Sequence, residues 1–226
     1  MRLSAVIHQF FEKYLPHIKG VSSNSIKAYR DTFKLFLPFA ASHCKIKLGS
    51  LSLNHLTPEI ILSFLDHLES ERKNTAKTRN HRLAAIKSLA KMIRFMYPQW
   101  SASMDKIILI PQKRTQRQLI GFLYPEEIDT VLNAVDMNTA LGFRDYTILQ
   151  LLYESGARAS EIAALNLDYL NPGQCTLAIL GKGNRFRQIE LSPTTLKMIK
   201  AYIVNYRRKP MPTYAKRLFI SQHGKA

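Results

Sequence analysis

The chain has 226 residues, of which 33 are Lys or Arg and 16 are Asp or Glu, so its formal net charge is +17 at pH 7. Because 46% of the residues are hydrophobic and 10% are aromatic, the chain can bury a core, which excludes a disordered basic tail. A folded protein with a pI near 10 favours a polyanionic partner, and nucleic acid ranks above a membrane surface because the sequence shows no bilayer-spanning apolar run and no signal-peptide pattern.

Helices are predicted through the first hundred residues. An apolar, aromatic stretch near residues 3–15 predicts a first helix that ends at Pro16. Residues 22–25 can cap a second helix that continues to about Ala41. Three basic residues fall on the side opposite its apolar stripe: Lys27, Arg30 and Lys34.

Two more helices follow in this half. Thr57-Pro58-Glu59 predicts a helix start with Pro in the first turn. Residues 72–82, rich in Lys, Arg, Asn and Thr, lead into a long helix that ends at Pro98. Basic residues are predicted opposite its apolar face: Lys77, Arg79, Arg82, Lys87, Lys91 and Arg94. One such face is usually a solvated surface, whereas two in so positive a chain favour phosphate contact.

A basic connector separates the two halves. A short extended stretch is predicted at Ile107–Ile110, and the residues that follow lack apolar periodicity. We therefore predict a helical domain over residues 1–110, a linker over 111–118 and a second domain over 119–226. Arg114 in the linker is a candidate DNA contact, although an ordinary solvated linker would have the same composition.

The second half combines helices and strands. Tyr124-Pro125 predicts a helix start, and residues 142–155 predict an apolar helix that ends at Gly156. Arg158 to Glu161 open another short helix that reaches Leu165.

Two strands are predicted next, Cys175–Leu180 and Phe186–Leu191, and the turn 181–185 joins them into a hairpin. Ser192-Pro193 caps a further helix, and residues 218–220 predict a possible strand.

Cysteine and histidine give little indication of chemistry. Cys44 and Cys175 lie far apart, which is typical of structural thiols in a reduced cytoplasmic chain. No Cys/His cluster has the spacing of zinc ligands. The sequence therefore predicts no metal site and no cofactor.

Two short segments combine a basic residue with glycine. Arg158 follows Gly156 at a helix start, where backbone N–H groups favour phosphate and a guanidinium can hold two phosphate oxygens. Lys182 lies in the hairpin turn between two glycines, which permit close approach of the backbone. A P-loop is excluded because this turn joins two strands rather than a strand and a helix.

In this order, the segments resemble the tyrosine recombinase (phage integrase) family over nearly the whole chain. Residues 22–31 resemble the opening helix of the family's core-binding domain, and residues 74–83 resemble the start of its last long helix. Residues 144–165 match the block around its first catalytic arginine, and the hairpin matches the one that bears its catalytic lysine. The resemblance implies a mainly α fold with a small antiparallel β-hairpin or sheet, in which a helical, SAM-like core-binding domain precedes a partial α+β catalytic domain.

The resemblance also implies roles. Arg158 would bind the scissile phosphate and stabilise the charge of the transition state, Lys182 would donate a proton to the departing 5′ oxygen, and Glu161 would orient these groups. The family's reaction needs no metal and no ATP, because a tyrosine attacks the phosphate and forms a 3′-phosphotyrosyl link. The implied partners are double-stranded DNA and other recombinase protomers in a synaptic complex, in the cytoplasm and without a membrane.

Alternatives remain open for the same residues. Arg158 could only pair with Glu161, and Arg185 or Arg187 could contact phosphate in place of Lys182. The full set of predicted DNA contacts is Lys27, Arg30, Lys34, Lys77, Arg79, Arg82, Lys87, Arg114, Arg185 and Arg187.

Other residues that the family requires are missing from the pattern. A His-x-x-Arg box does not occur, since Ala226 stands three residues after His223. Tyr202, Tyr206 and Tyr214 precede the place of that box, so we expect core or surface tyrosines rather than a nucleophile. We therefore expect a truncated recombinase that does not cleave DNA alone. The alternatives are a DNA-binding fragment that occupies recombination sites and a generic basic nucleic-acid protein.

Overall fold

The computed structural model describes residues 1–116, 121–181 and 183–225. The chain divides into two compact units, Met1–Leu119 and Ile120–Ala226. In the part of the chain that is described, no helix combines the length and the apolar composition needed to cross a membrane.

The first unit is helical. Its helices are α1 (Leu3–Gln9), a π-helix (Phe10–Ile18), α2 (Ser23–His43), α3 (Pro58–Ser70), α4 (Ala76–Met96) and α5 (Ser101–Ile108). The helix starts follow the predicted caps, because Ser22 Oγ accepts from Ser25 N at 3.4 Å and Thr57 Oγ1 accepts from Ile60 N at 3.5 Å.

Two boundaries in this unit differ from the sequence prediction. The first helix does not end at Pro16 but continues as a π-helix to Ile18, because Phe10 and Leu15 are fully buried on it and tertiary packing outweighs a lost backbone hydrogen bond. The extended stretch predicted at 107–110 is also wrong. Ile107 and Ile108 are the last residues of α5 and Leu109 caps it; the helix packs against α4 and is too short for its periodicity to stand out in the sequence.

Aromatic side chains form the centre of this unit. The rings of Phe10 and Phe33 lie 6.0 Å apart between centroids, and those of Phe36 and Phe64 lie 5.2 Å apart, both edge to face. Each of these four side chains is at most 2% exposed. Burying one such ring contributes about 1.5–3 kcal/mol, so this cluster fixes how α2 and α3 pack.

The second unit places helices around a small sheet. Its elements are α6 (Pro125–Asn133), α7 (Ala140–Ser155), α8 (Ala159–Ala163), β1 (Leu170–Asn171), β2 (Thr176–Leu180), β3 (Phe186–Glu190), α9 (Pro193–Ala201) and a π-helix (Tyr202–Tyr206). The sheet has the order β1-β2-β3 and is antiparallel. The predicted hairpin is therefore confirmed, whereas β1 has only two residues, too few to show an alternating pattern.

The strand predicted at residues 218–220 is wrong. The chain forms a single antiparallel bridge just before this segment, between Asn166 and Arg217, in which Leu218 N donates to Leu165 O at 2.8 Å. Beyond the bridge the buried segment bends, and Ile220 N donates to Tyr202 Oη at 3.1 Å. The segment is apolar because it is buried in the core of the second unit, and it does not add a strand to the sheet.

The register of the hairpin decides which side chains face the helices. Arg187 on β3 lies opposite Ile179 on β2, and Ile189 lies opposite Leu177. Directly paired residues share one face of a sheet, and Leu177 and Ile179 are fully buried. The side chain of Arg187 therefore lies on the core-facing side of the hairpin.

Candidate nucleic-acid interface

Arg158 lies directly before α8, just after the chain has turned at Gly156. Gly156 ends α7, as the sequence predicted, and it adopts the left-handed conformation with φ +57°. Its backbone N–H donates to Leu152 O. The side chain of Arg158 is 68% exposed, so its guanidinium is presented to solvent at the surface of the second unit.

Glu161 holds this arginine from inside. Its side chain is only 7% exposed. Oε1 accepts from Arg158 Nη1 at 2.8 Å, and Oε2 accepts from Arg187 Nη2 at 2.8 Å and from the backbone N of Arg158 at 3.1 Å. The Arg187 hydrogen bond and then the two from Arg158 lower the pKa of Glu161 to about 2. Glu161 is therefore an anion at neutral pH, although it is buried.

Because of these contacts, an anion at this site would be bound by the side chain of Arg158 rather than by the N-terminus of α8. The sequence favoured the helix N-terminus, but α8 has only five residues and the carboxylate of Glu161 occupies its first turn. The exposed guanidinium of Arg158 is a donor that Glu161 leaves open to solvent. The alternative that Arg158 pairs with Glu161 is also observed, and this ion pair orients the guanidinium without burying it.

The hairpin turn begins beside this pair. Gly181 lies so close that an added Cβ would be 3.2 Å from Arg187 Nη1 and 3.6 Å from Glu161 Oε1. Arg185 is exposed in the same turn, and its carbonyl accepts from Gly181 N at 2.8 Å. Lys182, the predicted hairpin lysine, lies outside the described residues, so its role stays a prediction.

The basic face of α2 is exposed as predicted. Lys27 and Lys34 are exposed, and Lys34 lies 3.9 Å from Asp31. Arg30 lies over the ring of Phe11, 5.5 Å from its centroid. These side chains are available to a partner of the first unit, and their contact with DNA stays a prediction.

The predicted basic face of α4 needs a correction at Arg79. Residue 79 is in helical phase with Leu83 and Ile86, so it belongs to the buried face, and it is 4% exposed. Its Nε lies 3.2 Å from Glu69 Oε2, outside hydrogen-bond alignment, and its Nη1 donates to Asn80 Oδ1 at 3.4 Å. Arg79 therefore belongs to the interior of the first unit rather than to an exposed phosphate-binding face.

The other predicted residues of α4 and of the linker lie nearer the surface. Lys77 is exposed, Lys87 and Arg82 are half-buried, and Arg114 is exposed. The Nε atom of Arg82 is buried without a hydrogen-bond partner among the described residues, and burial followed by the charge of Arg72 lowers the pKa of Arg82.

Lys19 was not predicted from the sequence, and it lies beside two predicted lysines of α4, Lys87 and Lys91. Lys19 Nζ donates to Ser88 Oγ on α4 at 3.0 Å. Burial and then the charge of Lys91 lower the pKa of both Lys19 and Lys87. Three lysines thus share one region of the first unit, and a bound anion would relieve their repulsion. Lys19 and Ser88 are 69 positions apart in the sequence, so no local pattern could have predicted their contact.

The start of the basic linker is attached to the first unit. Asn80 Nδ2 donates to Lys113 O at 2.7 Å, and Lys113 N donates to Asn80 Oδ1 at 3.0 Å. Lys113 Nζ also donates to Glu69 Oε2 at 2.6 Å. The chain therefore stays anchored beyond residue 110, where the sequence placed the end of the domain.

Several arginines in the second unit serve the fold. Arg207 Nη2 donates to the carbonyls of Ala215 and Arg217 at 2.8 Å each. Arg217 Nη1 donates to Ala164 O, and Arg144 Nη1 donates to Ile220 O at 3.3 Å. These guanidiniums hold the segment that leads to Ile220, so the net charge of the chain overstates the charge available to a partner.

Tyr202 lies in the core of the second unit, one of the two surroundings expected for it from the sequence. This side chain is 1% exposed, and its hydroxyl accepts from Ile220 N. Tyr206 is half-buried and stacks on Phe143 with 4.2 Å between ring centroids. Among residues 1–116, 121–181 and 183–225, no group of three or more His, Cys, Asp or Glu side chains is placed to hold a metal ion.

Comparison with known proteins assigns the family. Residues 121–226 match the model of the phage integrase family, and residues 7–94 match the N-terminal SAM-like domain of phage integrases. The integrase/recombinase y4rD of Sinorhizobium fredii is 30% identical over 94% of this chain and 77% of its own length. The chain belongs to the phage integrase, or tyrosine recombinase, family. The resemblance found in the sequence is therefore confirmed.

Two further matches show how much of a relative this phage integrase chain spans and which solved fold it shares. It spans 61% of the integrase/recombinase y4rC of Sinorhizobium fredii, with 32% identity over 89% of its own residues. The solved structure of the Tn1549 transposon integrase, in complex with a circular intermediate DNA, covers 96% of this chain and is itself covered to 72%, with a TM-score of 0.67 and 15% identity. These matches confirm the predicted fold class, a SAM-like helical domain and an integrase catalytic domain with a small antiparallel sheet.

Proposed function

We propose that this chain acts in site-specific recombination of DNA, as expected for integration of mobile DNA, and that the 3′-phosphotyrosyl intermediate of this reaction forms only in a recombinase that carries the tyrosine nucleophile. In this proposal it binds double-stranded DNA and holds one backbone phosphate with Arg158. The observation that carries the proposal is the exposed guanidinium of Arg158, which buried Glu161 holds by a single Nη atom. Other protomers in a synaptic complex and a cytoplasmic location belong to the same proposal, on the strength of the family.

The chemistry of Arg158 suits a phosphate. A guanidinium offers five N–H donors in a planar fork, and Glu161 takes one of them from the protein side. The remaining donors can bind two phosphate oxygens at once and stabilise the charge that builds up during strand transfer. We propose the same phosphate as the target of Lys182, because the residue before it, Gly181, lies beside Glu161.

Double-stranded DNA is the proposed partner. The Tn1549 integrase, a structural neighbour, was solved with DNA, and exposed lysines and arginines of both units provide the charge. When basic side chains bind DNA, they displace counterions from its phosphates, so the association constant falls as the salt concentration rises. In a plot of log K against log salt, each neutralised phosphate adds about 0.9 to the magnitude of the slope.

A salt series on a labelled DNA duplex of random sequence tests this proposal. We expect tight binding at low salt, and we expect Arg158→Ala to lower the slope by about 0.9. Glu126→Gln, which removes an exposed carboxylate on α6, serves as the control and should leave the slope unchanged. Binding that does not depend on salt, or a slope that Arg158→Ala leaves unchanged, would contradict a phosphate contact at Arg158.

We also propose that the 226-residue polypeptide occupies DNA without cleaving it. Tyr202 is buried with its hydroxyl engaged by a backbone N–H, and Tyr206 is stacked in the second unit. Incubation with a nicked suicide substrate should therefore yield no protein–DNA adduct on a denaturing gel. A covalent adduct would overturn this part of the proposal and leave DNA binding intact.

A further inference from the structure

The side chain of Arg187 lies on the core-facing side of the hairpin, whereas a residue that contacts phosphate would be expected on the exposed side. The hairpin register places it opposite buried Ile179, on the face that points toward the helices. Its side chain is 38% exposed, compared with 68% for Arg158. Nη2 is directed at Glu161 on α8, and Nη1 lies against Gly181 in the same hairpin.

The two oxygens of Glu161 have different partners. Oε1 holds the guanidinium of Arg158, and Oε2 holds Arg187 and the backbone N–H of Arg158. Without Arg187, Oε2 would keep only the backbone donor, and the carboxylate could turn both oxygens toward the side chain of Arg158. A bidentate pair of that kind is the geometry that Arg and a carboxylate prefer.

The balance of charge leads to the same conclusion. With Arg187 in place, two guanidiniums share one carboxylate, and the group carries a net positive charge that can attract a phosphate. With Arg187 removed, Arg158 and Glu161 would form a neutral one-to-one pair, and a phosphate would have to compete with Glu161 for the same N–H groups.

We infer that Arg187 is a positioning residue, which occupies the inner oxygen of Glu161 so that Arg158 can bind phosphate, and that Arg187 itself makes no phosphate contact. This role rests on the proposed function of Arg158. It replaces the prediction from sequence that Arg187 contacts DNA directly.

A double-mutant cycle tests the inference, read out as the salt slope for binding to a labelled duplex of random sequence. If Arg187 acts through Glu161, then Arg187→Gln lowers the slope by about 0.9 in the native chain and leaves it unchanged in the Arg158→Ala chain. Arg187→Lys keeps a positive charge beside Glu161, so the slope of this variant should equal that of the native chain.

A matched control uses the neighbouring arginine of the same hairpin. Arg185 is exposed in the turn, so Arg185→Gln should lower the slope equally in the native and Arg158→Ala chains. A general loss of structure would also act in both backgrounds, so thermal melting of each variant is measured alongside.

The outcomes separate the two proposals. If Arg187→Gln lowers the slope further in the Arg158→Ala chain, or has no effect in the native chain, the positioning role is wrong while the phosphate contact of Arg158 stands. If Arg158→Ala by itself leaves the slope unchanged, the proposed function fails at Arg158, and the role of Arg187 fails with it. If Arg187→Gln does not fold, Glu161→Gln is compared with Glu161→Gln/Arg187→Gln, which removes both charges of the pair. Equal slopes are expected because no carboxylate is left for Arg187 to occupy, and a lower slope in the double variant would overturn the inference.

Discussion

Lys77 and Arg79 stand two positions apart on α4, and their side chains have opposite surroundings. Lys77 is exposed, whereas Arg79 is 4% exposed beside Glu69. Arg79→Met should destabilise the first unit by about 1–3 kcal/mol, because it removes one partner of Glu69 while Lys113 remains as another. Urea unfolding followed by the fluorescence of Trp100, the only tryptophan, measures this loss.

Lys77→Gln is the matched control for this pair. We expect it to change the free energy of unfolding by less than about 0.5 kcal/mol and to lower the salt slope of DNA binding by about 0.9. A reduced salt slope in Arg79→Met at unchanged stability would show that Arg79 faces DNA after all.

The ionised state of Glu161 makes the stability of the second unit depend on pH. The pKa of this carboxyl is about 2 in the folded chain, compared with 4.5 for an unperturbed glutamate. The folded state therefore favours the anion, and the resulting stability is present above pH 4.5 and is lost as the pH falls toward 2.

Glu161→Gln removes this titration. The free energy of unfolding of the native chain should exceed that of Glu161→Gln most clearly above pH 4.5, and the difference should shrink as the pH falls toward 2. Urea unfolding followed by far-UV circular dichroism across this range gives the comparison. A difference that stays constant with pH would contradict the contacts assigned to the carboxylate.

Helix α7 begins at a tight turn that only glycine fits. A Cβ on Gly142 would lie 1.8 Å from the backbone oxygen of Asp136, and Gly142 N donates to the capping Thr139 Oγ1 at 3.0 Å. Gly142→Ala should therefore destabilise the second unit by about 1–3 kcal/mol, because the turn or the helix must move.

Gly49→Ala, in the first unit, is the control for adding a Cβ to a glycine, since a Cβ at Gly49 would meet nothing within 4 Å. Circular dichroism in urea should show the loss in Gly142→Ala alone, while Trp100 fluorescence, which reports on the first unit, stays unchanged in that variant. Equal midpoints for the native chain and Gly142→Ala would contradict the close approach at Asp136.

The end of the first unit depends on a contact between residues that are far apart in the sequence. Asn80 holds the backbone of Lys113 through two hydrogen bonds. Asn80→Ala removes both, so we expect trypsin to cut after Lys113 and Arg114 faster than in the native chain. Asn74→Ala, at a half-buried side chain that bonds to Arg72 O, is the control, and an equal rate of cleavage in Asn80→Ala and the native chain would show that the anchor is unimportant.

Local patterns in the sequence were enough to predict the helices with clear caps, the β2–β3 hairpin and the prominence of Arg158. These depend on local signals: a Ser or Thr before a helical pattern, alternating residues on both sides of a glycine turn, and a glycine that ends α7 just before Arg158. Each signal lies within a few residues, so neighbouring side chains and the backbone decide the outcome. The family resemblance rested on the order of these segments, and comparison with known proteins confirmed it.

Which charged side chains are available to a partner depends on how distant segments pack, and no local pattern showed it. It placed Arg187 on Glu161, 26 positions away, buried Arg79 and brought Lys19 to α4. It also used Arg207 and Arg217 to hold backbone carbonyls. The physical reason is the same in each case: a guanidinium or ammonium group binds whichever acceptor the packing brings near, and strand register and helix packing bring together residues that no local pattern connects.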